Sequence, residues 1–299
     1  MSGATLLGAA EIRELAAELD VTPTKKLGQN FVHDANTVRR IAEVGRVEAG
    51  ERIVEVGPGL GSLTLAILER GAAVTAIEID PRLAAKLPAT VAAHAPGAEL
   101  EVILSDALQV EDVPGEPVAI VANLPYNVSV PVLLHLLARV PSLERGVVMV
   151  QAEVGERLAA APGSKVYGAP SVKAAWYGRW RTAGLVSRRV FWPEPNVDSI
   201  LVAYERGEQP GDEALRARVF ELVDAAFGQR RKMLRQAVAP AFGGSSAAAI
   251  LALDEAGIDP TARGEALGID DFVRLAQVAL PTDPQVVPAA DDAARARVG

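Results

Sequence analysis

Ile53-Val54-Glu55-Val56-Gly57-Pro58-Gly59-Leu60-Gly61 is the stretch that decides the fold. It reads as a strand that enters a glycine-rich turn and then a helix. Glycines there let backbone approach a ligand closely and leave N–H groups free at the helix start. The pattern is E-x-G-x-G-x-G, and it differs from the dinucleotide fingerprint GxGxxG. An acid two residues before the first glycine would repel a pyrophosphate. It suits a cationic amino-acid ligand, held through water or backbone.

Working outward, short apolar runs at 52–56, 73–78, 99–104, 117–122 and 145–151 read as strands, with helical patterns between them. That alternation predicts βαβ units, right-handed crossovers and a largely parallel sheet. Runs at 181–190 and 197–205, joined through Pro193 and Pro195, predict an antiparallel hairpin at the sheet edge. Asp34 is placed to cap a helix running to about Val47. After Arg206 the strands stop. Residues 207–280 read as a small all-helical domain, and 281–299 as a disordered tail without periodicity. Residues 1–21 form an N-terminal extension to which the sequence assigns no role, and 22–206 the α/β domain.

Two more acids sit where strands end. Glu78 closes Ala76-Ile77-Glu78-Ile79-Asp80, roughly 20 residues past the glycines, the spacing at which a carboxylate reaches a ribose diol. Asp106 follows the third strand in Ser105-Asp106-Ala107, where it can accept from an adenine amine. Three such elements at neighbouring strand ends favour S-adenosylmethionine over NAD. The fourth strand ends in Asn123-Leu124-Pro125-Tyr126. An exocyclic adenine amine is a poor nucleophile because its lone pair is delocalised into the ring. Two acceptors holding its N–H bonds free that pair: the Asn123 side-chain oxygen and the Leu124 carbonyl. Pro125 stiffens the turn and Tyr126 offers a stacking face. The gain is orientation and preorganisation rather than proton abstraction. Phe191, in Phe191-Trp192-Pro193-Glu194-Pro195-Asn196-Val197-Asp198-Ser199, is a candidate for the other face of the base. Trp192 reads as packing.

Composition bounds the rest. The chain has 299 residues, no cysteine and a net charge of −8. Disulfides, thiolate zinc sites and cysteine nucleophiles are excluded. His33, His94 and His135 have no metal-ligand spacing, so no metal is expected. There is no long uncharged apolar run and no signal-peptide pattern, so a cytoplasmic protein without a membrane span is expected. The absence of a heptad seam suggests a monomer. The acidic balance argues mildly against a nucleic-acid partner, but local clusters matter more than the sum. Arg230, Arg231, Lys232 and Arg235 form one basic run, read as helical. Arg188 and Arg189 (with Arg179 and Arg181) lie near the hairpin, and Lys25 and Lys26 precede the N-terminal motif. All are candidates for phosphate contacts that position RNA without reading its sequence.

Together, Leu27-Gly28-Gln29-Asn30-Phe31, the E-x-G-x-G-x-G turn, Asn123-Leu124-Pro125-Tyr126 and the F-x-P-x-P-x-V-x-S run resemble the small-subunit ribosomal RNA dimethyladenosine transferases, the enzymes linked to kasugamycin sensitivity. The similarity runs from about Pro23 to about Leu280. It implies a doubly wound, mostly parallel seven-stranded methyltransferase sheet with a small C-terminal helical RNA-binding domain. It also implies dimethylation of two adjacent adenines in a hairpin loop near the 3′ end of 16S rRNA, and a role in small-subunit assembly. A flipped, unpaired base suits such a loop. Cofactor contacts implied by the motifs fall on Gln29, Asn30, residue 32, Gly57, Glu78, Asp106 and Asn123, beside Glu55, Gly59 and Gly61 of the turn. Residue 32 is Val here, where the family usually has Leu; a backbone contact would survive that change. Rival readings are a 23S rRNA adenine methyltransferase of the macrolide-resistance type and a non-catalytic ribosome assembly factor. A small-molecule methyltransferase fits the Asn-Leu-Pro-Tyr turn less well.

Overall fold

The structure, a computed structural model, describes residues 3–21, 30–125 and 128–279. The chain divides into two compact units, Met1–Pro210 and Gly211–Gly299. In the first, in chain order, lie α1 (Ala9–Glu18), β1 (Phe31–Val32), α2 (Ala35–Val44), β2 (Arg52–Val56), α3 (Ser62–Glu69), β3 (Ala73–Glu78), α4 (Pro81–His94) and β4 (Leu100–Leu104). There follow β5 (Ala119–Asn123), α5 (Ser129–Arg139), β6 (Arg145–Gln151), α6 (Ala152–Leu158), α7 (Ala169–Ala175), β7 (Gly178–Val186), β8 (Phe191–Trp192) and β9 (Ser199–Arg206).

Seven strands form one sheet in the order β4-β3-β2-β5-β6-β9-β7. The first five are parallel to one another, and β9 runs against both its neighbours. The central strands are buried on both faces, which is why they read as continuous apolar runs. The chain starts at β2, moves outward to β3 and β4, then returns to place β5 on the other side of β2. The strand order therefore reverses between β2 and β5. That crevice is where open α/β sheets bind ligands.

Local signals set the helix starts. Asp34 caps α2 by accepting from Thr37 N at 2.7 Å, although α2 ends at Val44, a turn earlier than expected. Asp80 caps α4, with Pro81 in its first turn. Gly61 precedes α3 in the left-handed conformation, φ 99°, and gives no side-chain cap.

One strand expectation needs correction. The run 181–190 is not one strand. β7 ends at Val186, a short turn spans Arg188–Val190, and Phe191–Trp192 leaves the main sheet to pair with β1. A bulge between Thr182 and Leu185 breaks the β7–β9 register, and Pro193 and Pro195 offer no N–H to continue it. The N-terminal extension, in turn, is built into the core. Leu7, Ile12, Ala16 and Val21 are buried in the same core cluster as side chains of α2, α3 and α4. Each fully buried large aliphatic contributes about 1.5–3 kcal/mol. Polar ties fix the extension to α4: Thr5 N donates to His94 O at 2.8 Å, Lys86 pairs with Glu18 at 2.6 Å, and Arg82 donates to Asp20 O at 2.9 Å.

The second unit holds α8 (Glu213–Gly228), α9 (Leu234–Ala237), α10 (Ser246–Glu255) and α11 (Ile269–Ala279). Its own core includes Val219, Leu222, Leu253, Phe272 and Leu275. The basic run is not helical, as the sequence had suggested. Residues 229–233 form the turn between α8 and α9, and only Arg235 lies in a helix. Tertiary hydrogen bonds hold that geometry: Leu234 N donates to Ala262 O and Arg235 N to Pro260 O. No helix among the described residues is long and apolar enough to cross a membrane. The expected tail lies outside the described residues.

Candidate active site

The strand ends around the reversal point open into a cleft of about 1050 Å³, its mouth included. Asn30, Val32, Glu55, Gly57, Gly59, Glu78, Asp106, Asn123, Leu124 and Pro125 line it, so most of the catalytic and cofactor candidates read from sequence meet in one place.

Glu55 is the penultimate residue of β2 and is buried. Its Oε2 accepts from Thr64 Oγ1 at 2.6 Å. Burial, with the nearby Glu78 adding to it, outweighs that bond and pushes the Glu55 carboxyl up to about 8. That favours the protonated form near neutral pH, and a cation placed beside it would favour the ionised form. Glu78 ends β3. Its Oε2 accepts from Gly59 N at 3.1 Å, and its Oε1 from Ile79 N at 2.9 Å and Asp80 N at 3.0 Å. Burial raises its pKa, against the lowering effect of those backbone bonds. The bonds fix the carboxylate and leave lone pairs free for a ligand. Asp106 spends Oδ1 on Leu108 N at 2.9 Å, capping the short turn Ala107–Gln109.

Asn123 ends β5 beside the glycine turn. Its Nδ2 donates to Asn30 O at 3.3 Å. With the amide nitrogen donating there, Oδ1 is left as an acceptor. Leu124 N donates to Met149 O at 3.1 Å, which fixes the backbone carrying the second acceptor. An ideal Cβ on Gly57 would lie 3.9 Å from Pro125 Cδ, so the two loops abut. Gly59 has φ 59°, and a Cβ there would meet Phe31 at 2.9 Å. A side chain at that position would thus be both strained and blocked by an aromatic ring of the cleft wall.

The chain matches the family model described as ribosomal RNA adenine dimethylase over residues 22–279. It belongs to the ribosomal RNA adenine dimethylase family. A relative named ribosomal RNA small subunit methyltransferase A, from Leifsonia xyli subsp. xyli, is 68% identical over 279 residues, covering 92% of this chain and 99% of that one. Among solved structures, the 23S rRNA methyltransferase ErmE is similar at 27% identity with a TM-score of 0.61, covering 84% of this chain and 99% of that one. A dimethyladenosine transferase from Plasmodium falciparum, 22% identical with a TM-score of 0.69, covers 82% and 95% respectively and shares the fold. This dimethylase-family chain is a methyltransferase, and its methyl donor is S-adenosylmethionine.

The cleft's chemistry fits that group. It offers two buried acids beside a helix start, a further acid at the next strand end, and apolar walls from Phe31, Ile77, Ile79 and Leu83. Ile79 is 54% exposed, an apolar side chain at the mouth where a flat base can rest. Sequence reasoning gave no role to these apolar walls. Phe31 stood inside a quoted motif and was assigned nothing, because only its pairing with Trp192, rings stacked at 6.4 Å, brings it here.

Not every expected residue lines the cleft. Gly61 does not; a Cβ on it would meet Leu87 at 2.9 Å, so it serves the close approach of α3 to α4. Phe191 is 3% exposed, paired with Val32 and packed in the core rather than on the cleft wall. Tyr126, Gln29, Lys25 and Lys26 lie outside the described residues. Arg188 and Arg189 are exposed beside the β7–β9 connection, Arg188 paired with Glu194 at 2.9 Å. Arg230, Arg231 and Lys232 are exposed on the second unit; Arg235 is half-buried. The described residues contain no metal-binding cluster.

Proposed function

We propose that the chain transfers methyl groups from S-adenosylmethionine to N6 of two adjacent adenines in a hairpin loop near the 3′ end of 16S rRNA. The product is N6-dimethyladenosine within the small ribosomal subunit. The observation that carries this reading is the placing of Asn123, its amide nitrogen tied to Asn30, against the glycine turn of the same cleft.

In this reading Glu78 accepts from the cofactor's ribose and Asp106 from its adenine amine. Glu55 and the start of α3 face the amino-acid end. S-adenosylmethionine supplies an electrophilic methyl group. Asn123 Oδ1 and the Leu124 carbonyl accept the two N6–H bonds of the target adenine and aim its lone pair. N6 forms the new N–C bond as the sulfonium C–S bond breaks with its electron pair left on sulfur, and the methylated nitrogen, briefly cationic, sheds its proton to water, so no strong base is needed. Pro125 holds the turn, Tyr126 stacks on the base, and Phe191 supports the wall from behind through Val32. Arg188, Arg189, Arg230, Arg231, Lys232 and Arg235, with Lys25 and Lys26, hold phosphates. Residues 207–280 act as the RNA-binding domain. The protein works as a monomer in the cytoplasm, late in small-subunit assembly.

The small-subunit reading is favoured over the 23S alternative because relatives named for the small subunit reach 68% identity, against 27% for the 23S enzyme. The test is transfer of labelled methyl to small subunits lacking the two dimethyladenosines, beside unmodified large-subunit rRNA. Label is expected as N6-dimethyladenosine in 16S rRNA. Label in 23S rRNA alone would overturn the assignment. Label in neither, from protein that binds the cofactor, would point to a binding factor.

A further inference from the structure

Two hydroxyls sit in the first turn of α3. Thr64 Oγ1 is committed to Glu55 at 2.6 Å. Ser62 is different: it lines the cleft, it is 8% exposed, and its Oγ is buried with no hydrogen-bond partner. Buried polar atoms are paired in folded proteins, so an unpaired hydroxyl on a residue that lines the cleft calls for a partner that the protein itself does not supply. The surroundings say what kind of group that is. Ser62 is the first residue of α3, whose cap Gly61 has no side chain to satisfy the free N–H groups. That end of the helix carries partial positive charge and favours an anion.

We propose that Ser62 is a further cofactor-binding residue, donating its Oγ–H to the carboxylate at the amino-acid end of S-adenosylmethionine. The inference rests on the reading of this cleft as the cofactor site. It splits the amino-acid end between two neighbours. The carboxylate meets Ser62 and the α3 N–H groups, and the ammonium meets the acid side at Glu55.

The test is calorimetric titration of the full chain, wild type and Ser62→Ala, with two probes. S-adenosylhomocysteine carries the amino-acid end; 5′-methylthioadenosine lacks it. Ser62→Ala is expected to weaken S-adenosylhomocysteine by about tenfold, the scale of one charge-assisted hydrogen bond. It should leave 5′-methylthioadenosine unchanged and should not lower the melting temperature of the unliganded protein, since no protein bond is lost. Unchanged S-adenosylhomocysteine affinity, or an equal loss for both probes, would overturn the role of Ser62. Wild-type protein that binds neither probe would overturn the cofactor reading itself, and the proposal with it.

Discussion

The two ends of the central sheet both hold partly or fully buried acids, and Glu51 at one end has a cation beside it where, among the described residues, Glu55 and Glu78 at the other have none. At the end where β2 and β6 begin, Glu51 pairs with Arg145 at 2.5 Å and Glu205 with Arg46 at 3.0 Å. Burial works to raise the pKa of Glu51. The Arg145 hydrogen bond and charge, with the Glu48 N–H, outweigh it and leave that pKa below its ordinary value. At the cleft end, Glu55 and Glu78 are more deeply buried, and no cation among the described residues contributes to either; both pKa values are raised. An acid supplied with its own cation is part of the scaffold. An acid buried without one is held at a cost that a cationic or hydrogen-bonding ligand can offset.

Asn123→Ala should show the largest effect. Removing one preorganised acceptor from the target nitrogen is expected to lower kcat by about 10²–10³-fold. The protein should still fold, because Asn123 gives the described structure one long bond to Asn30. Single-turnover methyl transfer beside a melting curve checks both halves.

Glu55→Gln separates binding from stability. The folded-state pKa near 8 lies above that of an unfolded glutamate, so the wild-type chain binds an extra proton when folded. Unliganded stability therefore falls as pH rises from about 4.5 to about 8, then levels off. The Gln variant should gain on wild type across that window, read as melting temperature against pH. Cofactor affinity should move the other way. Between pH 5.5 and 7, wild-type affinity is expected to rise by up to about tenfold per unit, as a cation displaces the proton, while the variant stays flat.

Glu51→Gln at the other end should cost about 2 kcal/mol of stability, the worth of a charge-assisted bond to a mostly buried arginine. Its pKa is depressed, so its contribution is present above pH 4.5 and lost as pH falls through the folded value. Cofactor affinity should be unchanged. The smallest effect is expected from Arg230, Arg231 and Lys232 replaced together by Ala. Binding to the small subunit should weaken, and the slope of log K against log salt should shrink by about 3 at most. An unchanged slope would remove this turn from the RNA surface.

The cleft was legible where local pattern and strand position coincide. The glycine turn, Glu78, Asp106 and Asn123 all sit at ends of strands that periodicity marks, and the βα alternation sets which ends are neighbours. What escaped depends on pairing between distant segments. Phe31 reaches the cleft only because β1 finds β8, and that two-residue strand has no periodicity to betray it. The same pairing draws Phe191 inward. The N-terminal helix looked like an appendage because its apolar side chains are buried only in a core that distant segments assemble. The basic turn at 229–233 looked helical because Arg, Lys and Gln are good helix formers, yet bonds to Pro260 and Ala262 override that preference. Ser62 was invisible because its meaning lies in a partner it lacks.

The contrast between the two sheet ends is tested most directly by titrating S-adenosylmethionine into wild type, Glu55→Gln and Glu51→Gln at pH 6.5. The expected result is a loss of tenfold or more, on the order of the cost of an unmet charge, for Glu55→Gln and wild-type affinity for Glu51→Gln. Full affinity in Glu55→Gln, or a matching loss in Glu51→Gln, would contradict the assignment of the unpaired acids to the cofactor.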